Sequence, residues 1–354
     1  MSSPGQAEGI AAAIREDALT VLEGPTGAVE VEELGGGRRR VTVVPLDPTA
    51  FIKTRSCETG YPLDLIDQLR RTKDLAWLCD EIARDESPRY VELFLRHGLL
   101  AYLPASAFAR KRLIDFGCGS GASTMVLARM LPQPEIVGVD FARDLVAIAE
   151  ERKRVSGVRN VTFAVSPDSA SLPTGLGLFD FVCMNAVWEH LLPNERRTLV
   201  PMLWSALNED GILFVNETPH RWYLIEAHTT GLPLLNFLPR PLAHWAANRY
   251  SKRLRGDESW EQLLRNGVRG GTEREILRVL RNAGGGRPVL LKPSLLGCRD
   301  TVDIWYAYSQ AARPMKIKRH MRTAFKVISR LTRSTYAPGL SVAVQKRQAD
   351  DEPR

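Results

Sequence analysis

The sequence predicts an α/β fold built on a doubly wound, mostly parallel sheet of seven strands, and three features predict it. Short apolar runs alternate with helical patterns from residue 112 to 220. The first run is followed by a glycine-rich turn, Gly117-Cys118-Gly119-Ser120-Gly121, that leads into a helix. Later runs end on polar residues, Asp140, Asn185 and Asn216, as strands do when ligands gather at their carboxyl ends.

Taken in order, residues 1–107 read as an extension before the core. A short helical pattern surrounds Ile10 to Leu22, and the segments AVEVEEL and RRRVTVV flank Gly35-Gly36-Gly37 as the arms of a hairpin. FIKTRSCETGYP is polar enough for a loop, whose Arg55, Ser56 and Tyr61 either reach a ligand or form a surface connection. From Pro62 the apolar residues Leu63, Leu65, Ile66, Leu69, Leu75, Leu78 and Ile82 keep helical spacing, and Ser87-Pro88 opens a second helix through Leu99.

The core, 108–220, begins with Leu113 to Phe116, apolar except for Asp115, then the glycine turn and a helix from Ala122 to Leu131. Strands follow at Glu135 to Val139, Val161 to Val165, Phe179 to Met184 and Gly211 to Val215, with helices at Asp144 to Arg154 and after VWEHL. Residues 221–271 break the rhythm. They are rich in aromatics and prolines where a short crossover would suffice, which suggests an inserted substrate lid. The region 272–346 returns to the core with a helix from Thr272 to Ala283 and two expected strands, Thr301 to Tyr308 and Leu340 to Val344, while 347–354 reads as a disordered tail.

Composition places few limits on function. The chain has 354 residues, 44% hydrophobic and 25% charged, as in an ordinary globular protein. Its five cysteines lack the spacing of a disulfide framework or a zinc site, so no metal is expected, and with no leader or membrane span in evidence the expected location is cytoplasmic. The net charge of +7 is uneven: residues 221–354 hold 25 of the 48 Lys and Arg but only 11 of the 41 Asp and Glu. Such a basic segment suits an acidic substrate, a membrane surface or nucleic acid, and equally a solvated face with no partner. Met315 to Arg333 reads as a basic amphipathic helix with Ile317, Met321, Phe325, Ile328 and Leu331 near one face, a form that lies peripherally on anionic membranes or packs on its own domain.

The glycine turn alone fits either a nicotinamide or a sulfonium cofactor. A dinucleotide fingerprint would need glycine at 122, which is Ala122; the spacing Asp115-x-Gly117-x-Gly119-x-Gly121, with Asp140 nineteen residues later, resembles the class I S-adenosylmethionine-dependent methyltransferases over about 108–220. The resemblance implies a Rossmann-like methyltransferase fold and S-adenosyl-L-methionine as cofactor. It places backbone around Gly117, Gly119 and Gly121 near the methionyl part and ribose, and Asp115 beneath the turn or at the amino group. Asp140 would accept from the ribose hydroxyls, Phe141 would pack on adenine, and Asp168, or Ser169 in its place, would meet the adenine amino group. Asn185 would lie beside the reacting methyl.

For a poorly nucleophilic acceptor a base is needed. His220, after the fifth strand with Glu217 and Arg221, is the preferred candidate; His190, in the Trp188-Glu189-His190-Leu191 motif, is the second and is as often structural. His228 and His244 are weaker. The expected activity is O-methylation of a small molecule, glycan or lipid-linked intermediate. RNA methylation and a non-catalytic cofactor-binding protein are the alternatives; the first is disfavoured because NAVW replaces the (Asn/Asp)-Pro-Pro-(Tyr/Phe) expected after the fourth strand. The apolar and aromatic residues of the lid wall a substrate or pack on one another.

Overall fold

The computed structural model describes residues 19–168, 171–309 and 315–348. It opens with a four-stranded antiparallel sheet, β1 (Leu19–Gly24), β2 (Gly27–Gly35), β3 (Arg38–Pro45) and β4 (Ser56–Thr59), in that spatial order. The expected hairpin is β2–β3, with Val29↔Val43 and Val31↔Val41 paired on the buried face. Two expectations change here. Leu19 to Leu22 is strand rather than helix, because it pairs with β2, and Ile10 to Ala18 lies outside the described residues. Ser56 to Thr59, expected as loop, pairs with β3 and so gains a ladder that its polarity concealed.

Helices α1 (Leu63–Thr72), α2 (Leu78–Glu86) and α3 (Val91–Leu100) follow. The apolar face of α1 and α2, with Leu65, Ile66, Leu69 and Ile82, closes over Val29 and Val41 and reaches Ile148 of the core. Burial of each such side chain stabilises by roughly 1.5–3 kcal/mol. The extension thus packs on the core rather than hanging from it.

The core comprises β5 (Arg112–Phe116), α4 (Ala122–Met130), β6 (Glu135–Asp140), α5 (Arg143–Ser156), β7 (Val161–Val165), β8 (Phe179–Asn185), α6 (Pro193–Ser205) and β9 (Leu207–Pro219). Next come α7 (Arg240–Tyr250) and α8 (Trp260–Arg265) within the insertion, then α9 (Glu273–Ala283), β10 (Arg287–Leu290), α10 (Thr301–Tyr308), α11 (Met315–Thr332) and β11 (Gly339–Arg347). The sheet order is β10-β11-β9-β8-β5-β6-β7, and β11 runs antiparallel to both of its neighbours. From β5 the chain winds outward through β6 and β7, then returns to β8 on the other side of β5. That reversal opens a crevice at the carboxyl ends of β5 and β8.

Both faces of the sheet are covered. Leu199 and Leu203 of α6 and Ile276 and Leu280 of α9 pack on one face, and Leu95 and Leu99 of α3 with Met125 of α4 pack on the other. Thr301–Tyr308, expected as a strand, is helix α10: Asp300 caps it by accepting from the Asp303 N–H at 2.9 Å, and Thr301 through Trp305 are buried without a clear period. A short buried run does not distinguish helix from strand. The seventh strand is instead Arg287–Leu290 at the sheet edge, where Pro288 is tolerated.

Helix α11 divides its apolar stripe. Phe325 packs among Val302, Trp305 and Ala337, while Ile317 and Leu331 face outward. Asp303 binds both Arg322 and Lys326 at 2.6 Å, so part of the basic face is neutralised within the protein. No described helix is long and apolar enough to cross a membrane.

Candidate functional site

A cavity of about 310 Å³ opens at the crevice between β5 and β8. Phe116 and Gly117 come from β5 and its turn, Val139 and Asp140 from β6, Ser166 and Asp168 from beyond β7, and Val187 and His190 from beyond β8. The turn needs its glycines for different reasons. Gly117 has φ +73° and a Cβ there would stand 2.6 Å from Val187, whereas Gly119, at φ +53°, faces open space within 4 Å. Gly121 begins α4, where a Cβ would press on Ala149. Bare backbone therefore faces open space at Gly119.

Asp140 is the fixed point of the cavity. One carboxylate oxygen accepts from the Gly119 N–H and the other from the Ala142 N–H, both at 2.9 Å. A carboxylate has room for about four hydrogen bonds, so each oxygen keeps acceptor capacity for a ligand while its direction is set by backbone. Phe141, 60% exposed, lines the cavity beside it. Asp168 lines the same cavity; Ser169 lies outside the described residues.

Asp115 and Asn185 are not among the cavity's lining residues. Asp115 is buried and accepts from Thr124 Oγ1 at 2.7 Å and from Asn185 Nδ2 at 3.1 Å, and Asn185 in turn accepts from Asn216 Nδ2 at 3.1 Å. Burial pushes the Asp115 carboxyl up to about 6, against the pull of those two donors. This chain of hydrogen bonds ties β5, β8, β9 and α4 together below the turn. Asp115 therefore sits beneath the turn, bonded to Thr124 and Asn185.

The two histidines separate. His190 lines the cavity, and its Nδ1 donates to the Arg265 carbonyl at 2.6 Å, which leaves Nε2 with a lone pair. Burial holds its pKa below the ordinary value. His220 lines a different cavity of about 280 Å³ with Glu217, Tyr223 and Trp305. Its Nδ1 accepts from the Trp222 N–H at 3.2 Å, its ring also bonds the Thr335 backbone, and burial pushes it down to about 4. His220 thus lines a cavity other than the one that holds Asp140. β9 runs on to Pro219 alongside β11, and the His220 N–H donates to the Pro338 carbonyl, so the loop turns toward that edge.

Sequence spacing gave no metal-ligand cluster, yet Glu189, His190 and His228 bring their ligand atoms within 4.8 Å of one another. The insertion supplies His228, which is why no local motif announced it. Burial raises Glu189 to about 8, while desolvation and then the neighbouring His190 lower His228 to about 4, so near neutral pH the trio carries little charge.

Other features had no sequence signal. Ser120, inside the glycine turn, donates to Glu81 of α2, and Glu81 also receives Arg152 Nη2 of α5 at 3.1 Å. Arg265 of α8 grips Glu195 of α6 through two bonds of 2.6 Å and so carries the insertion to the rim of the cavity. Ser166 follows from the strand-end rule once β7 is drawn.

Residues 113–211 match the family model described as "Methyltransferase domain". The chain is 32% identical over 135 residues to the malonyl-[acyl-carrier protein] O-methyltransferase of Bacillus cereus, covering 38% of this chain and 48% of that protein. It is 31% identical over 123 residues to the trans-aconitate 2-methyltransferase of Variovorax paradoxus, covering 35% and 44%. The chain thus spans about half the length of the curated relatives it matches. Among solved structures, the [4+2]-cyclase SpnF aligns with a TM-score of 0.41 at 18% identity, over 72% of this chain and 82% of that one.

The lining of the cavity fits S-adenosylmethionine: an oriented carboxylate for vicinal hydroxyls and an exposed aromatic ring for a base.

Proposed function

We propose that this chain, whose residues 113–211 form a class I S-adenosylmethionine-dependent methyltransferase domain, methylates an oxygen of a small molecule, or of a glycan or lipid-linked intermediate. The observation that carries the reading is Asp140, held by the Gly119 and Ala142 N–H groups with acceptor capacity turned to the cavity. S-adenosylmethionine, when bound, supplies a methyl group on a sulfonium, activated for in-line displacement.

The protein's own part is alignment and exclusion of water. Asp140 would hold the ribose hydroxyls, Phe141 would cover the adenine, and Asp168 with Ser166 would meet its polar edge. The turn at Gly117 to Gly121 would carry the methionyl part, held from below by Asp115 and Asn185. His190 would take a proton at Nε2 when the acceptor is a hydroxyl, its ring fixed by the Arg265 carbonyl. A carboxylate acceptor would need no base.

Transfer to oxygen is supported by the names of the matched relatives, and the acceptor itself is open within that class. RNA methylation rests on the basic C-terminal third alone. Peripheral membrane contact through 315–333 has Ile317 and Leu331 in its favour, and against it the inward packing of Phe325 and the pairing of Lys326 with Asp303. A non-catalytic cofactor-binding protein would share the cavity and lack turnover.

The test is calorimetric titration with S-adenosylhomocysteine. Asp140→Ala should raise its Kd by ~10-fold or more, as loss of charge-assisted hydrogen bonds implies. An unchanged Kd, or binding of a nicotinamide dinucleotide in its place, would overturn the reading.

A further inference from the structure

Between the insertion and the core lies a second cavity of about 650 Å³, which shares Leu191 with the first. Six arginines reach it: Arg196, Arg221, Arg240, Arg269, Arg274 and Arg278. Only Arg196 has an ion-pair partner among the described residues, Glu275 at 2.7 Å. The other five guanidinium groups bring positive charge to one cavity with no carboxylate of the described residues within ion-pair distance.

Their placement is held by neutral groups. Arg221 and Arg269 both donate to the Asn236 carbonyl, and Arg269 donates as well to the Leu238 carbonyl at 2.5 Å. Arg221 stacks on Trp222 at 4.2 Å, and Arg240 and Arg269 lie over Trp260 at 5.9 and 5.3 Å. A guanidinium held by an aromatic face keeps its N–H edge for another acceptor. Burial, and after it the charge of Arg269, pushes Arg221 down to about 10. Two like charges sharing one carbonyl are held against repulsion that an anion would relieve.

We propose that this cavity binds the anionic end of the methyl acceptor, a polyanion bearing carboxylate or phosphate groups, and that the acceptor extends past Leu191 to the cofactor cavity. The inference rests on the methyltransferase reading for its direction, since that reading says where the reacting atom must lie. The shape suits the class. Bidentate guanidinium forks match carboxylate and phosphate oxygens, and Trp222 and Trp260 give apolar walls to the rest of the molecule. The arginines come from three places, α6, α9 and the insertion, so the cavity exists only where the insertion folds back on the core.

The experiment titrates full-length protein with citrate, pyrophosphate and inorganic phosphate at low salt, following tryptophan fluorescence, and separately with S-adenosylhomocysteine. Arg240→Gln and Arg278→Gln are the variants of choice, because no hydrogen bond within the described residues depends on either side chain. Arg221→Gln, which removes an internal bond, is a third. Citrate or pyrophosphate should bind below millimolar Kd, and the Arg240→Gln/Arg278→Gln double variant should weaken that binding at least tenfold while the Kd for S-adenosylhomocysteine stays within twofold. Tighter citrate than pyrophosphate binding assigns a polycarboxylate, and the reverse assigns a phosphorylated acceptor. No anion binding below millimolar, or equal binding by the double variant, overturns the proposal even if S-adenosylhomocysteine binds. Anion binding without S-adenosylhomocysteine binding would leave the anion cavity standing and remove the methyltransferase reading.

Discussion

Removing the Glu81 carboxylate should destabilise the fold and loosen the glycine turn together. Arg152 of α5 has no exposed side-chain surface, and its Nη2 meets both the Glu81 carbonyl and Oε1 at 3.1 Å. Its Nε and Nη1 have no partner, and the ring of Tyr61 lies 5.6 Å away. Glu81→Gln would leave this guanidinium buried and uncompensated, a change that costs about 3–5 kcal/mol. A second route gives a similar size. Burial alone would raise the Glu81 pKa, but Arg152, Lys73 and the Ser120 hydroxyl outweigh it and hold it at about 2. Against an ordinary value of 4.5 that lowering corresponds to about 3 kcal/mol.

The sign follows from proton counts. Between pH 4.5 and about 2 the unfolded chain holds a proton at Glu81 that the folded chain does not, so this contribution is complete above 4.5 and is lost as pH falls through that window. Urea unfolding of Glu81→Gln at neutral pH should show the loss, with a Tm lower by roughly 6–10 °C on a slope of about 2 °C per kcal/mol. Because Ser120 then donates to a neutral amide oxygen instead of a carboxylate, the bond that steadies the turn weakens, and the Kd for S-adenosylhomocysteine should rise by about tenfold at most, some 1.4 kcal/mol. The double variant Glu81→Gln/Arg152→Met should recover much of the stability, since it removes the orphaned charge as well. A Glu81→Gln protein within 1 kcal/mol of the parent, or losses that simply add in the double variant, would refute the reasoning.

Other predictions concern the site. His190→Gln should lower turnover on a hydroxyl acceptor while leaving cofactor affinity intact, and His220→Gln should leave turnover near the parent value; the reverse pattern in steady-state kinetics would restore His220 as the base. The folded-state pKa of His220, about 4, is depressed from 6.5, so stability is lost as pH falls from 6.5 toward 4. Replacing His220 should flatten that part of a stability curve read by thermal melts at stepped pH. Gly117→Ala should destabilise more than Gly119→Ala: both carry left-handed strain of about 1–2 kcal/mol, and only the former meets a neighbour, Val187 at 2.6 Å. Equal melting temperatures would contradict the packing.

The sheet was readable because its central strands are buried on both faces, so that Leu113 to Phe116 and Phe179 to Met184 announce themselves as apolar runs between turns. Thr301 to Tyr308 misled for the same reason: a short buried stretch has no polar face to reveal its period, and its cap, Asp300, was the surer signal. Asp140 was legible as a polar residue at a strand end. His220 occupies an equivalent place but lines a separate cavity, because β9 continues beside β11 instead of releasing the chain at the crevice. Glu81 and Arg152 were silent, and the place of His228 beside Glu189 and His190 was equally so, since each finds its partner across elements distant in sequence.

The uneven charge of the chain gains a location from the fold. Of the basic residues after 220, Arg322 and Lys326 are spent on Asp303, and the arginines at 221, 240, 269, 274 and 278 line one cavity. A surface meant for a nucleic-acid backbone would show its charge to solvent along a track. Here Arg221 and Arg269 are half-buried, Arg221 against Trp222 and Arg269 against Trp260, while Arg240, Arg274 and Arg278 are exposed at the mouth of the same cavity, which shares Leu191 with the cofactor cavity. Within the same insertion, Arg265 is anchored to Glu195 and its carbonyl fixes the His190 ring. One segment, 221–271, therefore shapes both the arginine-lined cavity and the orientation of His190, so that on the proposed reading acceptor recognition would be coupled to the geometry of transfer.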